Sequence, residues 1–277
     1  MEPLVSTEWL AQHLGETDIA VVDTSWHMPA SGRNGRKEFG QAHIPGARFL
    51  DIDEISDKQN PAPHMLPSAE AFGAAVQQLG IGRDDRIVVY DNSPTRTAAR
   101  GWFMLRHFGA RYVAILDGGF QKWIAEDRPT ETGEQKHRQA HFEPKQYRDQ
   151  VVTKQQILSG LDSPLLDARG NGRFEGSEPD PRPGVAPGHV PGAHNLPFGS
   201  LYREDGTFKS QQELQRLFDE AGIDPARPFV ASCGSGVTAC SLLFAAHLLG
   251  NESARLYDGS WSEWGADPAT PKALGPA

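Results

Sequence analysis

The chain has 277 residues, of which 23% are charged, and a formal charge of -9 at pH 7. That acidic balance supplies no basic stripe to neutralise phosphates, so neither nucleic acid nor an anionic membrane is expected as a partner. The length exceeds that of one average domain and suits two, each able to bury its own core.

In chain order, the N-terminus Met1-Glu-Pro-Leu-Val-Ser-Thr-Glu-Trp-Leu10 has neither a basic leader nor a continuous apolar run. No stretch has the length needed to span a bilayer, and the expected location is the cytoplasm. Ser6 to Leu14, Ala69 to Leu79 and Thr97 to Phe108 read as helices, while Ile19 to Val22, Ile87 to Tyr90 and Val113 to Leu116 read as strands. Such alternation predicts an α/β fold whose mainly parallel sheet carries helices on both faces, with ligands at the carboxyl ends of the strands. Residues 127–150, polar and charged with Pro129, Gly133 and Pro144, read as a surface linker. The tail 267–277, with Pro268, Pro271 and Pro276, reads as poorly ordered.

The chain repeats itself. Val21-Val-Asp23 recurs as Leu165-Leu-Asp167, and His43-Ile-Pro-Gly-Ala47 as His189-Val-Pro-Gly-Ala193. Ile87-Val-Val-Tyr-Asp91 recurs as Phe229-Val-Ala-Ser-Cys233, and Asp117-Gly-Gly as Asp258-Gly-Ser. The offsets are 167 - 23 = 144, 189 - 43 = 146, 233 - 91 = 142 and 258 - 117 = 141. A nearly constant offset over four ordered markers means two copies of one fold. The expected domains are therefore 1–126, without a nucleophile, and 151–277, with one.

The second copy contains Cys233-Gly-Ser-Gly-Val-Thr238, placed between a strand and a helix that is apolar on nearly every face. Gly234 and Gly236 are expected to permit backbone angles closed to other residues. A helix N-terminus and converging amides favour an anion, so Cys233 is the candidate nucleophile. At the matching place the first copy has Asp91, followed by Asn92-Ser-Pro94. The other cysteine, Cys240, lies two helical turns on and reads as packing; the pair fits neither a disulfide nor a zinc spacing, which suits a reducing compartment.

With its paired His-x-Pro-Gly-Ala segments, Asp-Gly turns with trailing tryptophans and Cys loop, the chain resembles the two-domain rhodanese-like sulfurtransferases over nearly its whole length. Within them, the uncharged loop is similar to that of the 3-mercaptopyruvate branch, whereas thiosulfate-preferring members usually place Arg and Lys after the cysteine. The resemblance implies sulfur transfer from 3-mercaptopyruvate through a persulfide on Cys233 to thioredoxin, glutathione or cyanide, with release of pyruvate and no cofactor or metal. It implies substrate contacts from Gly234, Gly236, Val237 and Thr238, and from Arg173 and Arg182, which would hold the carboxylate and carbonyl oxygens. It also implies that Asp53 and His64 serve Ser235 in proton transfer. On residue chemistry alone, either arginine could simply be solvated in its Pro- and Gly-rich loop, Asp53 could cap a turn, and His64 could merely hold a loop. The alternatives are thiosulfate:cyanide sulfur transfer and a non-catalytic persulfide carrier. A Cys-based phosphatase of related fold would need an arginine six positions after Cys233, where Ala239 stands.

Overall fold

Runs such as Ile19-Ala-Val-Val-Asp23, buried at every position, suit a parallel sheet covered on both faces. The computed structural model describes residues 1–133 and 137–277. They fall into two units, one made of Met1–Asp57, Leu66–Tyr147 and Glu204–Phe208, the other of Lys58–Met65, Arg148–Arg203 and Lys209–Ala277.

The first unit contains strands β1 (Leu4–Val5), β2 (Ile19–Asp23), β3 (Arg48–Phe49), β4 (Arg86–Tyr90) and β5 (Tyr112–Leu116), all parallel, in the order β1-β5-β4-β2-β3. Its helices are α1 (Thr7–His13), α2 (Gly35–Gln41), α3 (Ile52–Ile55), α4 (Ala69–Gln78), α5 (Ala98–His107) and α6 (Gly119–Ala125). The second unit contains β6 (Val151–Val152), β7 (Leu165–Asp167), β8 (His194–Asn195), β9 (Val230–Ser232) and β10 (Arg255–Tyr257), in the order β6-β10-β9-β7-β8. Its helices are α7 (Lys154–Leu158), α8 (Asn171–Glu175), α9 (Gln211–Glu220), α10 (Ala239–Leu248) and α11 (Ser260–Trp264).

The two sheets share one topology and one register. Val21 pairs with Val88 in the first sheet and Leu165 with Val230 in the second. These pairs reproduce the sequence offsets, 165 - 21 = 144 and 230 - 88 = 142. The two-residue edge strands were not legible in the sequence, because two extended residues carry no period.

The linker lies at the surface over most of its described residues, as expected, but it is anchored, and the tail, expected to be poorly ordered, is hydrogen-bonded in place. Within the linker 127–150, Phe142 is buried, and the backbones of Glu131 and His43 exchange hydrogen bonds of 2.9 Å. The tail does the same in the second unit, where Ala273 and His189 exchange hydrogen bonds of 2.9 Å and Thr270 is buried. Trp123 Nε1 donates to Pro129 O at 2.8 Å, and Trp264 Nε1 to Pro271 O at 2.7 Å. Linker and tail are thus the same repeated closing segment. Proline and polar residues suit it because its hydrogen bonds are few and specific rather than a ladder. The His-x-Pro-Gly-Ala histidines are structural: His43 Nδ1 donates to Phe39 O at 2.8 Å and His189 Nδ1 to Phe174 O at 2.9 Å, each ring stacked on that phenylalanine.

The strand ends also carry a difference in charge. Asp167, at the end of β7, is enclosed with Arg169, whose guanidinium donates to it at 2.7 to 3.1 Å. Its counterpart Asp23, at the end of β2, is buried and accepts from Ser25 N at 2.7 Å. Burial raises the Asp23 carboxyl to about 7. A carboxyl raised in the folded state contributes stability below its unfolded pKa and loses that contribution as pH rises through about 7. Asp23→Asn removes this dependence. Its stability relative to the parent, read from urea unfolding, should grow by about 1 to 3 kcal/mol between pH 4 and pH 8; a pH-independent difference would contradict the assignment.

Candidate active site

Cys233 follows β9, the middle strand of its sheet, and α10 begins six residues later. A crossover at the carboxyl end of a parallel strand is where this architecture places ligands. Cys233 is 1% exposed. The loop is braced by the turn after β10: Ser260 Oγ accepts from the amides of both Cys233 and Gly236 at 3.1 Å and donates to Tyr257 O at 2.8 Å. Trp261 N donates to Cys233 O at 3.0 Å and Ser262 N to Gly234 O at 2.9 Å. Ser260 holds φ +50°, a left-handed conformation that costs a residue bearing a Cβ about 1 kcal/mol or more. The amides of Gly234, Ser235, Val237 and Thr238 find no acceptor among the described residues, and Thr238 caps α10 without a side-chain hydrogen bond. A ring of unspent donors at a helix N-terminus is an anion cradle.

The two glycines serve different ends. Gly236 holds φ +74°, as expected of a turn glycine. Gly234 does not have a left-handed φ, which corrects the sequence reading; its requirement is space. A Cβ there would lie 3.1 Å from Arg182 Nη2, 3.2 Å from Arg173 Nη2 and 3.3 Å from Arg182 Nη1. Both predicted arginines therefore stand against the residue next to Cys233. Arg173 lies on α8, and Arg182 in the loop that follows.

The residue that gathers them escaped the sequence reading. Asp180 accepts from Arg173 Nη2 at 2.7 Å and from Arg182 Nη1 at 3.1 Å, and its Oδ1 also accepts from Arg182 N at 3.0 Å. The arginine side chains are 26% and 25% exposed, that of Asp180 only 2%. Arg173 Nε is buried without a partner among the described residues. Two half-buried cations with donors to spare thus stand beside the Cys233 loop. The available signal was the Asp-Pro-Arg spacing, which sets a carboxylate two residues before an amide, the pattern of an Asx turn. The enclosed Arg169 also fixes α8, donating from Nη1 to Arg173 O at 3.3 Å.

His64 belongs to this same unit, and its Nδ1 is 2.8 Å from Ser235 Oγ, both side chains being buried. It holds φ +62°, a conformation uncommon outside glycine. Asp53 lies at the start of α3 in the first unit, where its carboxylate accepts from Trp26 Nε1 at 2.8 Å. Val237 is buried, Thr238 is half-buried, and Cys240 Sγ donates to Gly236 O at 3.2 Å from within α10. No cluster of His, Cys, Asp and Glu suited to a metal occurs among the described residues. Among the described residues, no helix is long and apolar enough to cross a membrane.

In the first unit the corresponding loop satisfies itself. Asp91 stands where Cys233 stands, its carboxylate accepting from Ser93 N at 2.8 Å and from Ala98 N, the first amide of α5, at 2.7 Å. A built-in carboxyl group takes up the amides whose counterparts the second loop leaves open.

The Ser260 brace is testable by two substitutions. Ser260→Ala leaves two buried amides without an acceptor and should lower unfolding stability by about 2 to 3 kcal/mol. Ser260→Gly makes the same loss but relieves the left-handed strain, and should lie about 1 kcal/mol above the alanine variant. Alanine equal to the parent in urea unfolding would show that the hydroxyl does not hold the loop.

The rhodanese-like domain family matches residues 6–126 and 149–267. A 3-mercaptopyruvate sulfurtransferase of Rattus norvegicus is 42% identical over 270 residues, covering 94% of this chain and 91% of that protein. A thiosulfate sulfurtransferase of the same species is 40% identical over 271 residues, again covering 94% and 91%. A solved 3-mercaptopyruvate sulfotransferase from Escherichia coli superposes with a TM-score of 0.86 at 37% identity, over 95% of this chain and 100% of that one. Two matched copies, together with full-length similarity at this level, establish that the chain belongs to the rhodanese-like domain family.

Proposed function

We propose that this chain is a sulfurtransferase that takes sulfur from 3-mercaptopyruvate and passes it to a thiol or cyanide. The observation that carries the reading is the convergence of Arg173 and Arg182 on Gly234, one residue from Cys233. Planar guanidinium groups suit a carboxylate and a neighbouring carbonyl oxygen, which they can hold together. Similarity alone does not choose the donor, since relatives named for 3-mercaptopyruvate and for thiosulfate are 42% and 40% identical. The loop chooses: Gly234 to Thr238 carry no cation.

In the reaction the Cys233 thiolate attacks the sulfur of the donor. An S–S bond forms and the C–S bond breaks, its electron pair passing to the enolate of pyruvate. The donor's thiol proton ends on the enolate carbon, leaving an anionic persulfide and pyruvate. Arg173 and Arg182 would hold the carboxylate and the developing enolate oxygen. The free loop amides would receive the outer sulfur, and the Ser235–His64 pair would carry the proton. A thiolate of the acceptor, or cyanide, then attacks the outer sulfur and restores Cys233.

Mass spectrometry after mixing with 3-mercaptopyruvate tests this directly. Gain of one sulfur on Cys233 with pyruvate released is expected, whereas an unmodified Cys233 would favour a carrier loaded by another protein. Arg182→Ala should lower kcat/KM for 3-mercaptopyruvate by about 10 to 150-fold through loss of a charged hydrogen bond. An unchanged value would remove Arg182 from the donor site.

A further inference from the structure

Asp180 is an unusual neighbour for a site that binds anions. Its carboxylate is 2% exposed and pairs with both substrate-facing arginines, at 2.7 Å from Arg173 and 3.1 Å from Arg182. A carboxylate there works against the ligand's own charge, and two arginines in a loop could be oriented by neutral acceptors. Arg169 and Asp167, each 2% exposed, cancel one another at 2.7 Å. Apart from the reacting Cys233 thiolate, the loop 233–238 has no charged side chain. The formal balance of Arg173, Arg182 and Asp180 is therefore 2 - 1 = +1.

We infer that Asp180 is a specificity-determining residue that holds the cluster it forms with Arg173 and Arg182 at a single net positive charge, and so selects a monoanionic sulfur donor over a dianionic one. The inference rests on the donor site proposed above. A 3-mercaptopyruvate anion, with one carboxylate, is neutralised by a cluster of that charge. Thiosulfate brings a second negative charge, which meets the buried carboxylate without a cation to offset it. Removing the Asp180 charge changes the energy of a dianion by twice that of a monoanion, because the Coulomb term scales with ligand charge. Asp180 touches the arginines rather than the donor, so it acts through charge and through their position together. The two contributions separate in the ratio of donors: a loss of position lowers both donors alike, whereas a change of charge moves one against the other.

The test compares the parent and Asp180→Asn with 3-mercaptopyruvate and with thiosulfate, cyanide being the acceptor in both assays. Asparagine keeps an oxygen for the Arg182 amide and removes the charge. The ratio of kcat/KM for thiosulfate to that for 3-mercaptopyruvate should rise by at least about tenfold, and the rise should shrink with added salt. Both values falling together at an unchanged ratio would overturn the inference while leaving the donor assignment intact. Failure of the parent to release pyruvate from 3-mercaptopyruvate would instead overturn the donor assignment and the inference with it. If the asparagine variant does not fold, the parent alone decides the matter: sulfate should compete no better than pyruvate, and sulfate binding about tenfold tighter would contradict the single positive charge.

Discussion

Two guanidinium groups can stand beside Cys233 because the residue that follows has no side chain. A single methyl group on Gly234 would press on three guanidinium nitrogens within 3.1 to 3.3 Å. Those groups cannot easily withdraw, since the buried Asp180 ties them both. The distance between cations and sulfur is thus set by backbone contact and one carboxylate. Arginines held this way lose little freedom when a ligand arrives, which is the benefit of preorganisation.

The loop itself is held from the other side. Ser260, strained into a left-handed conformation, uses its hydroxyl to take the amides of Cys233 and Gly236. Those two donors are withdrawn from the cradle, while the amides of Gly234, Ser235, Val237 and Thr238 remain without acceptors among the described residues. Strain at one residue fixes which amides are spent on structure and which are left for an anion.

The repeat supplies an internal control on this logic. Both sheets have the same strand order and register, and in both the turn after the last strand donates to the nucleophile position, from Phe120 N to Asp91 O and from Trp261 N to Cys233 O. The scaffold therefore does not distinguish the copies. What differs is the side chain at the strand end: the Asp91 carboxylate closes its own loop, whereas the Cys233 sulfur leaves four amides open. The same divergence appears one strand over, where Asp167 has Arg169 and Asp23 has a backbone amide.

The sequence by itself determined the duplication, the parallel sheets and the place of Cys233, because strand periodicity, glycine turns and constant offsets are local or repeated signals that survive in one dimension. It also marked Arg173 and Arg182, though only by family resemblance, since an arginine in a Pro- and Gly-rich loop has no pattern of its own. The tertiary structure alone decided the rest. It showed that the proline-bearing segments around Glu131 and Ala273 are matched closing segments, that Gly234 is there for space rather than for its φ, and that His64 meets Ser235 across 171 positions of chain. It revealed Asp180 and Ser260 as the residues that set the charge and the shape of the site. These roles depend on which groups meet after the chain has folded, and a distance between side chains remote in sequence leaves no trace in the order of the residues.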